Sequence, residues 1–332
     1  MAGRRDGLKL PPQFWKKGTS IRRSGGKEDA VATEVKAKHR REPAQQSFFR
    51  RMALPVILVL VGIAVLMYPV IATQWNNRVQ EQVAKLYEEE LQQTPVEEVN
   101  TAFEAAKAYN EAHTDGPILD PWLARISEDN ADYKEYERQL EGVSAMSQIA
   151  IPAIDLRLPV FHGTAEDTLQ KGLGHLYGSA LPTGGKGFHS VITGHTGLTT
   201  STLFDNLSDI KVGDAIYVST FGERMKYKVY DIEVVLPDET DSLRADPERD
   251  LLTLITCTPY GINTHRLLVH AERVPMDPDE ASVLDDSTST LQWWMWALGG
   301  VSLLILLALI WWVYREKKKS DRSGAVNEEV LS

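Results

Sequence analysis

The chain has 332 residues, a net charge of −10, a single cysteine and 43 % hydrophobic residues. One cysteine excludes an intramolecular disulfide framework, and the length leaves room for one substantial domain with appended segments. The charge is unevenly spread, with fourteen Lys and Arg against five Asp and Glu in residues 1–51 and a strongly acidic middle, and such a middle is unsuited to binding anionic nucleic acid.

Residues 1–51 are polar, lack apolar periodicity and contain Pro11-Pro12 and Gly25-Gly26, which predicts a basic disordered arm. From Met52 to Ala72 no charge occurs, a run of 21 residues that predicts a transmembrane helix over 52–72. Val70-Ile71-Ala72 resembles a signal-peptide cleavage site, so a cleaved signal is the alternative. Against it, the run exceeds a signal h-region of roughly 7–15 residues.

Residues 73–145 read as a helical N-terminal ectodomain region. Val79, Val83, Leu86 and Tyr87 mark one helix. Thr94 as N-cap, Pro95 and Glu97 predict the start of a second, backed by Val99, Phe103, Ala106 and Tyr109. Residues 116–122 interrupt them as an apolar loop ending in Asp120-Pro121-Trp122. Asp120 and Pro121 there suit a helix start, whereas a Trp in a loop calls for a pocket. A further short helix is expected over 130–143.

After Met146 the pattern turns to short alternating runs broken by Gly and Pro: 149–154, 158–160, 190–193, 215–219, 225–236, 251–257 and 266–274. Strands at this spacing predict a barrel or sandwich over 146–275. Residues 276–290 read as a linker. A second uncharged run over 291–314, with Trp293, Trp294 and Trp296 at one end and Trp311, Trp312 and Tyr314 at the other, predicts another transmembrane helix. Residues 315–332 form a tail that opens on Arg315, Lys317, Lys318 and Lys319. Basic flanks at the outer end of each span place both termini in the cytoplasm and the middle outside.

Cys257 closes the run Thr253-Leu254-Ile255-Thr256, just before Pro259 and Gly261, so it sits at a strand end. The next run, from Thr264 to Ala271, can return beside it and bring Arg266 near the thiol. A lone cysteine is ordinarily a small buried hydrophobe, but an exported one is open to oxidation and calls for a reason to be there. A nucleophilic thiol needs a base or a cation close by. Of six histidines in the strand-rich part, His195 stands in the glycine-flanked loop Gly194-His195-Thr196-Gly197 directly after a predicted strand, a position suited to catalysis; His265 and His270 read as packing or surface residues. No metal-ligand cluster is evident, so neither a metal nor a cofactor is expected.

Thr253-Leu254-Ile255-Thr256-Cys257 resembles the TLxTC signature of sortases, and Thr193-Gly194-His195 their histidine motif. The segment from Asn263 to Val269 is similar to the arginine strand of the pilus-assembling class C members, and Asp120-Pro121-Trp122 resembles their Asp-Pro-aromatic lid. Thr196 departs from the basic residue that usually follows the histidine. Leu181-Pro182-Thr183-Gly184 looks like a sorting signal without its spacer residue and reads as a loop. The resemblance covers residues 115–275 and implies a mainly β fold: a sortase-like closed β-barrel of about eight strands with short helices, preceded by the ectodomain helices and flanked by two transmembrane helices. It also implies a membrane-anchored transpeptidase of the Gram-positive cell wall. Such an enzyme cleaves LPxTG-type signals between Thr and Gly, holds the acyl group on Cys257 and passes it to a lysine of the next pilin. His195 would protonate the leaving amine, and Arg266 would stabilise the oxyanion or orient the substrate backbone. The implied partners are pilin subunits and the cell membrane, not nucleic acid. The alternatives are a sortase that attaches surface proteins to the cell wall, an exported cysteine hydrolase with water as acceptor, and a non-catalytic anchored domain.

Overall fold

Among the described residues up to 113 the chain forms two helices, α1 over Ala44–Gln93 and α2 over Val96–Ala112. The computed structural model describes residues 44–113, Asp120, 130–285 and 291–329, with side chains between 51 and 322. The basic arm therefore lies almost wholly outside the described residues, as do the rest of loop 116–122 around Asp120 and the end of the 276–290 stretch.

No break in α1 separates the apolar run from the polar turns after it, so the expected boundary at 72–73 falls within one helix. Thr94 does not cap α2. Its hydroxyl donates to Glu90 O at 2.8 Å, completing the end of α1, and Pro95 takes the cap position without a side-chain bond. The cap expectation fails because a hydroxyl one residue past one helix and two before the next serves whichever unpaired group is nearer. α2 is pinned by Asn110, whose amide donates to Leu181 O and Thr183 Oγ1, both at 3.0 Å, and accepts from Leu181 N at 2.8 Å. The Leu-Pro-Thr-Gly run is thus a sheltered loop, with Leu181 and Thr183 buried.

α3, Ala131–Glu137, is capped by Asn130, which accepts from the backbone of Asp132 and Tyr133. The strands follow as β1 (Ser147–Ile151), β2 (Leu156–His162), β3 (Leu173–His175), β4 (His189–Thr193), β5 (Ala215–Thr220), β6 (Glu223–Val235), β7 (Leu251–Thr258) and β8 (His265–Val274), with α4 (Glu166–Lys171) between β2 and β3. They close into a barrel in the order β1-β2-β3-β4-β7-β8-β6-β5. The β2/β3 and β4/β7 pairs are parallel and the rest antiparallel. The predicted run 149–154 ends early because Pro152 lacks an N–H and begins a 3-10 turn, leaving Asp155 at φ 49°. β3 escapes sequence reading because three residues are too few to show a period.

Leu252 and Leu254 of β7, Ile192 of β4 and Leu267, Val269 and Ala271 of β8 fill the barrel with side chains of the other strands. The opposite faces of β4, β7 and β8 carry a smaller cluster of Val191, Ile255 and Leu268 with Leu176 and Leu243. Part of the expected linker is docked: Pro278–Leu284 form a 3-10 helix with an Asp277/Glu280 capping box, and Leu284 is buried with Ala150 and Tyr217. Arg224 ties the same segment down through both carboxylate oxygens of Asp285, at 2.9 and 2.8 Å. Last comes α5, Trp293–Glu329. Parts of α1 and α5 are long and apolar enough to span a membrane and flank the barrel in the chain.

Burial pushes His175 and His189 down to about 4. Free imidazole titrates near ~6.5, so between these values the unfolded chain binds more protons and folding stability falls as pH falls. We expect a loss of up to about 3 kcal/mol per histidine from pH ~6.5 down to ~4. Melting temperature measured across that window should fall, and less steeply in His175→Gln. A flat profile would contradict it.

Candidate active site

β7 has a partner on each edge. Cys257 pairs directly with Arg266 of the antiparallel strand β8, which places both side chains on one sheet face. On the other edge Thr193 of β4 is level with Ile255 in the parallel register, and Gly194 N donates to Ile255 O at 3.1 Å. Thr256 Oγ1 donates to Gly194 O at 2.7 Å and holds the chain there. Continued for two residues, that register sets the His195 backbone beside Cys257. Alternation puts Cys257 and Arg266 on the outer face, with Ile255 and Leu268, at strand spacings of about 4.8 Å.

Arg266 is occupied. Its Nε donates to Asp120 Oδ2 at 2.7 Å and its Nη2 to Asp120 Oδ1 at 3.2 Å, a two-pronged ion pair between side chains only 9 % and 3 % exposed. Nη1 donates to Asn263 O and His265 O, each at 3.3 Å, which fixes the guanidinium against the β7–β8 turn. Burial pushes the Cys257 thiol up from its ordinary value, Arg266 pulls it down, and Asp120 pushes it up again. His195 is half-buried, with Nε2 3.3 Å from Glu166 Oε2 at the start of α4. Glu166 is largely exposed, so solvent weakens that pair. Of the sequence-predicted residues, Cys257, Arg266 and Asp120 are gathered at one point and His195 enters from the adjoining strand end. Trp122 lies outside the described residues. Among the described residues no cluster suits a metal ion.

The model of the family described as the sortase domain matches residues 149–274. The crystal structure of sortase C-1 from Actinomyces oris is 53 % identical, with 54 % of this chain and 99 % of that one covered, at a TM-score of 0.52. The chain belongs to the sortase family. Its members are cysteine transpeptidases. Sortase C-1 from Streptococcus pneumoniae is 41 % identical, over 59 % of this sortase and 100 % of that chain at a TM-score of 0.55, and such matches put it with the pilus-type, class C members. A lid mutant of Sortase A from Corynebacterium diphtheriae is 49 % identical over 55 % of this chain and 96 % of that one, at a TM-score of 0.51. Among curated proteins, Sortase A of Streptococcus agalactiae is 32 % identical over 127 residues, 37 % of this chain and 51 % of that protein. The match thus spans about half that relative's length.

Sequence reading missed a polar chain on the same face of β7. His189 Nε2 lies 2.7 Å from Thr253 Oγ1, which lies 2.8 Å from His270 Nδ1, and His270 Nε2 lies 3.0 Å from Glu233 Oε1. It stitches β4, β7, β8 and β6 together two rungs below Cys257. Period-two alternation could have found it, since Thr253, Ile255 and Cys257 share a face. Asp205 and Glu166, near the His195 loop, carried no sequence signal of their own.

Removing Asp120 takes away a carboxylate that raises the thiol and leaves the guanidinium that lowers it. Asp120→Ala should therefore react with a small alkylating reagent at Cys257 about tenfold or more faster at neutral pH, with the rate midpoint moved to lower pH. An unchanged rate and midpoint in a folded protein would show that Asp120 does not control the thiol.

Proposed function

We propose that this sortase polymerises pilin subunits. It cleaves an LPxTG-type sorting signal between Thr and Gly and transfers the acyl group to a lysine amine of another pilin. The observation that carries the reading is the pairing of Cys257 with Arg266 across β7 and β8, with the His195 loop leaving β4 on the other edge. Cys257 attacks the threonyl carbonyl. Arg266 donates to the oxyanion, or to the neighbouring backbone carbonyl, as charge gathers there. His195 protonates the departing glycine amine, the thioacyl enzyme remains, and the incoming lysine amine attacks it while His195 takes up a proton.

In this reading the Asp120–Arg266 pair is the resting, closed state, with Asp120 standing where a substrate carbonyl would bind. Trp122, the second residue of the lid resemblance, lies outside the described residues, and in this reading it would complete the lid. A lid mutant of the similar Sortase A from Corynebacterium diphtheriae has been solved, which supports a lid here as well. Closure worth ~2–3 kcal/mol would leave the open form at about 1–3 % and lower apparent substrate affinity by that fraction. Both termini lie in the cytoplasm, with the barrel outside.

Purified full-length enzyme incubated with an LPxTG peptide and an amine should release the glycine fragment and form the amide. Cys257→Ala should abolish both, and Arg266→Ala should lower transfer by about 10²–10³-fold. A product that is only the free acid, unaffected by added amine, would make the protein a hydrolase instead. Near-normal transfer with His195→Ala would overturn its assigned role. Protease added to intact cells should remove the barrel and spare tags at both termini; loss of the C-terminal tag would overturn the two-span topology.

A further inference from the structure

Just beyond its apolar run α1 presents Thr73, Asn76, Asn77 and Gln80, the i, i+3, i+4, i+7 spacing of one helical face. All four reach a single short loop. Thr73 Oγ1 donates to Thr199 O at 3.2 Å and Asn76 Nδ2 to Thr200 O at 2.7 Å. Asn77 makes two bonds, donating to Thr202 Oγ1 at 2.8 Å and accepting from Thr202 N at 3.1 Å. Gln80 Nε2 donates to Ser201 Oγ at 2.9 Å. Thr73, Asn77 and Gln80 are buried, so these bonds form out of water and leaving them unmade would be costly.

The same loop begins at His195. Asp205 closes its neck, with Oδ1 accepting from Gly197 N at 2.7 Å and from Thr196 Oγ1 at 3.2 Å, and Phe204 N donates to His195 O at 3.0 Å. Gly197, at φ +80°, makes the turn that only a residue without a side chain takes freely. Residues 195–205 are therefore stapled twice, by Asp205 across the base and by α1 along the far side. Burial pushes the Asp205 carboxyl up to about 6. Its folded value exceeds its unfolded one, so the ionised group detracts from stability as pH rises through about 6. A carboxylate kept there at a stability cost needs a use.

We propose that Asp205 and Asn77 are positioning residues for His195, holding its loop between the anchor helix and the barrel so that the imidazole stays level with Cys257. This rests on His195 being the acid and base of the proposed transfer reaction. α1 is then part of the active site as well as a tether.

The test uses the full-length enzyme in detergent or vesicles, with kcat and KM for the peptide measured separately. Asp205→Ala and Asn77→Ala should each lower kcat, by about ten- to a hundredfold for Asp205→Ala, with KM within about twofold, because a misplaced catalytic group slows chemistry more than binding. Asp205→Asn keeps the accepting oxygen and should restore most of kcat. Cys257 alkylation should stay at the wild-type rate throughout, separating a displaced histidine from a disturbed thiol. If Asp205→Ala does not fold, Asn77→Ala and Asp205→Asn decide. Wild-type kcat in a folded Asp205→Ala or Asn77→Ala would overturn the proposal, as would an Asp205→Asn that is folded yet slowed as much as alanine. His195→Ala run in parallel separates the two levels. If it remains active, the catalytic assignment fails; if it is dead while Asp205→Ala and Asn77→Ala are normal, only the positioning fails.

Discussion

The site depends on β7 being paired parallel on one edge and antiparallel on the other. A parallel β4 ends where β7 ends, and an antiparallel β8 starts there, so three chain segments converge at one end of the barrel. A slip of one residue in β7 would turn Cys257 into the interior. Two sets of contacts oppose that slip. Leu252 and Leu254 face inward and Ile255 outward, and the His189–Thr253–His270 bonds lock the outer face at one register only. The two histidines are thus structural supports of the thiol's position, and the burial of His189 in its neutral form is a physical reason that acid should loosen this face of the barrel.

Arg266 serves two demands that pull against each other. A guanidinium only 9 % exposed needs a partner, because an unpaired buried charge is strongly destabilising, by about 3–5 kcal/mol where one member of a buried pair is removed. Asp120 supplies that partner from 146 residues away, through two hydrogen bonds. A peptide carbonyl is a weaker acceptor than a carboxylate, so a substrate that displaced Asp120 would need the rest of its contacts to offset the exchange. In the proposed mechanism this makes the ion pair a filter: a short or ill-fitting peptide does not open the site, and Cys257 stays buried, under-ionised and protected from oxidation.

Much of this could be read from the sequence because it rests on local pattern. The apolar alternation in residues 251–257, the glycine-flanked His195 and the two uncharged runs each announce themselves within a dozen or two residues, and the TLxTC-like run carries the family resemblance. The lid resemblance singles out Asp120, but nothing in spacing links it to Arg266, 146 residues away. The closure of the sheet, the short β3 and the docked 3-10 helix at 278–284 depend on long-range pairing that no local period records. Thr94 misled because two helix ends compete for one hydroxyl. The polar stripe at Thr73, Asn76, Asn77 and Gln80 was written at helical spacing, but a helix boundary drawn at the edge of the apolar run hid it.

That stripe changes what the anchor means. α5 reaches the same region: Gln292 Nε2, just ahead of the helix, donates to Asn206 Oδ1 at 3.0 Å, next to Asp205, and Gln74 Nε2 on α1 lies 3.1 Å from Met295 Sδ. Polar groups of α1 and of the residue just before α5 thus meet at or beside the loop that carries His195, at the end of the barrel where β4 and β7 finish. A flexible tether would leave the barrel free to tumble above the membrane. The side-chain bonds from α1 to that loop instead hold the end of the barrel with the thiol toward the candidate spans. The sortase family acts on surface proteins and pilins at the membrane. In the proposed topology, a site held at the end that faces the candidate spans would shorten the search for a sorting signal presented there and keep the incoming chain in a narrow range of orientations, which is where positioning contributes most to rate.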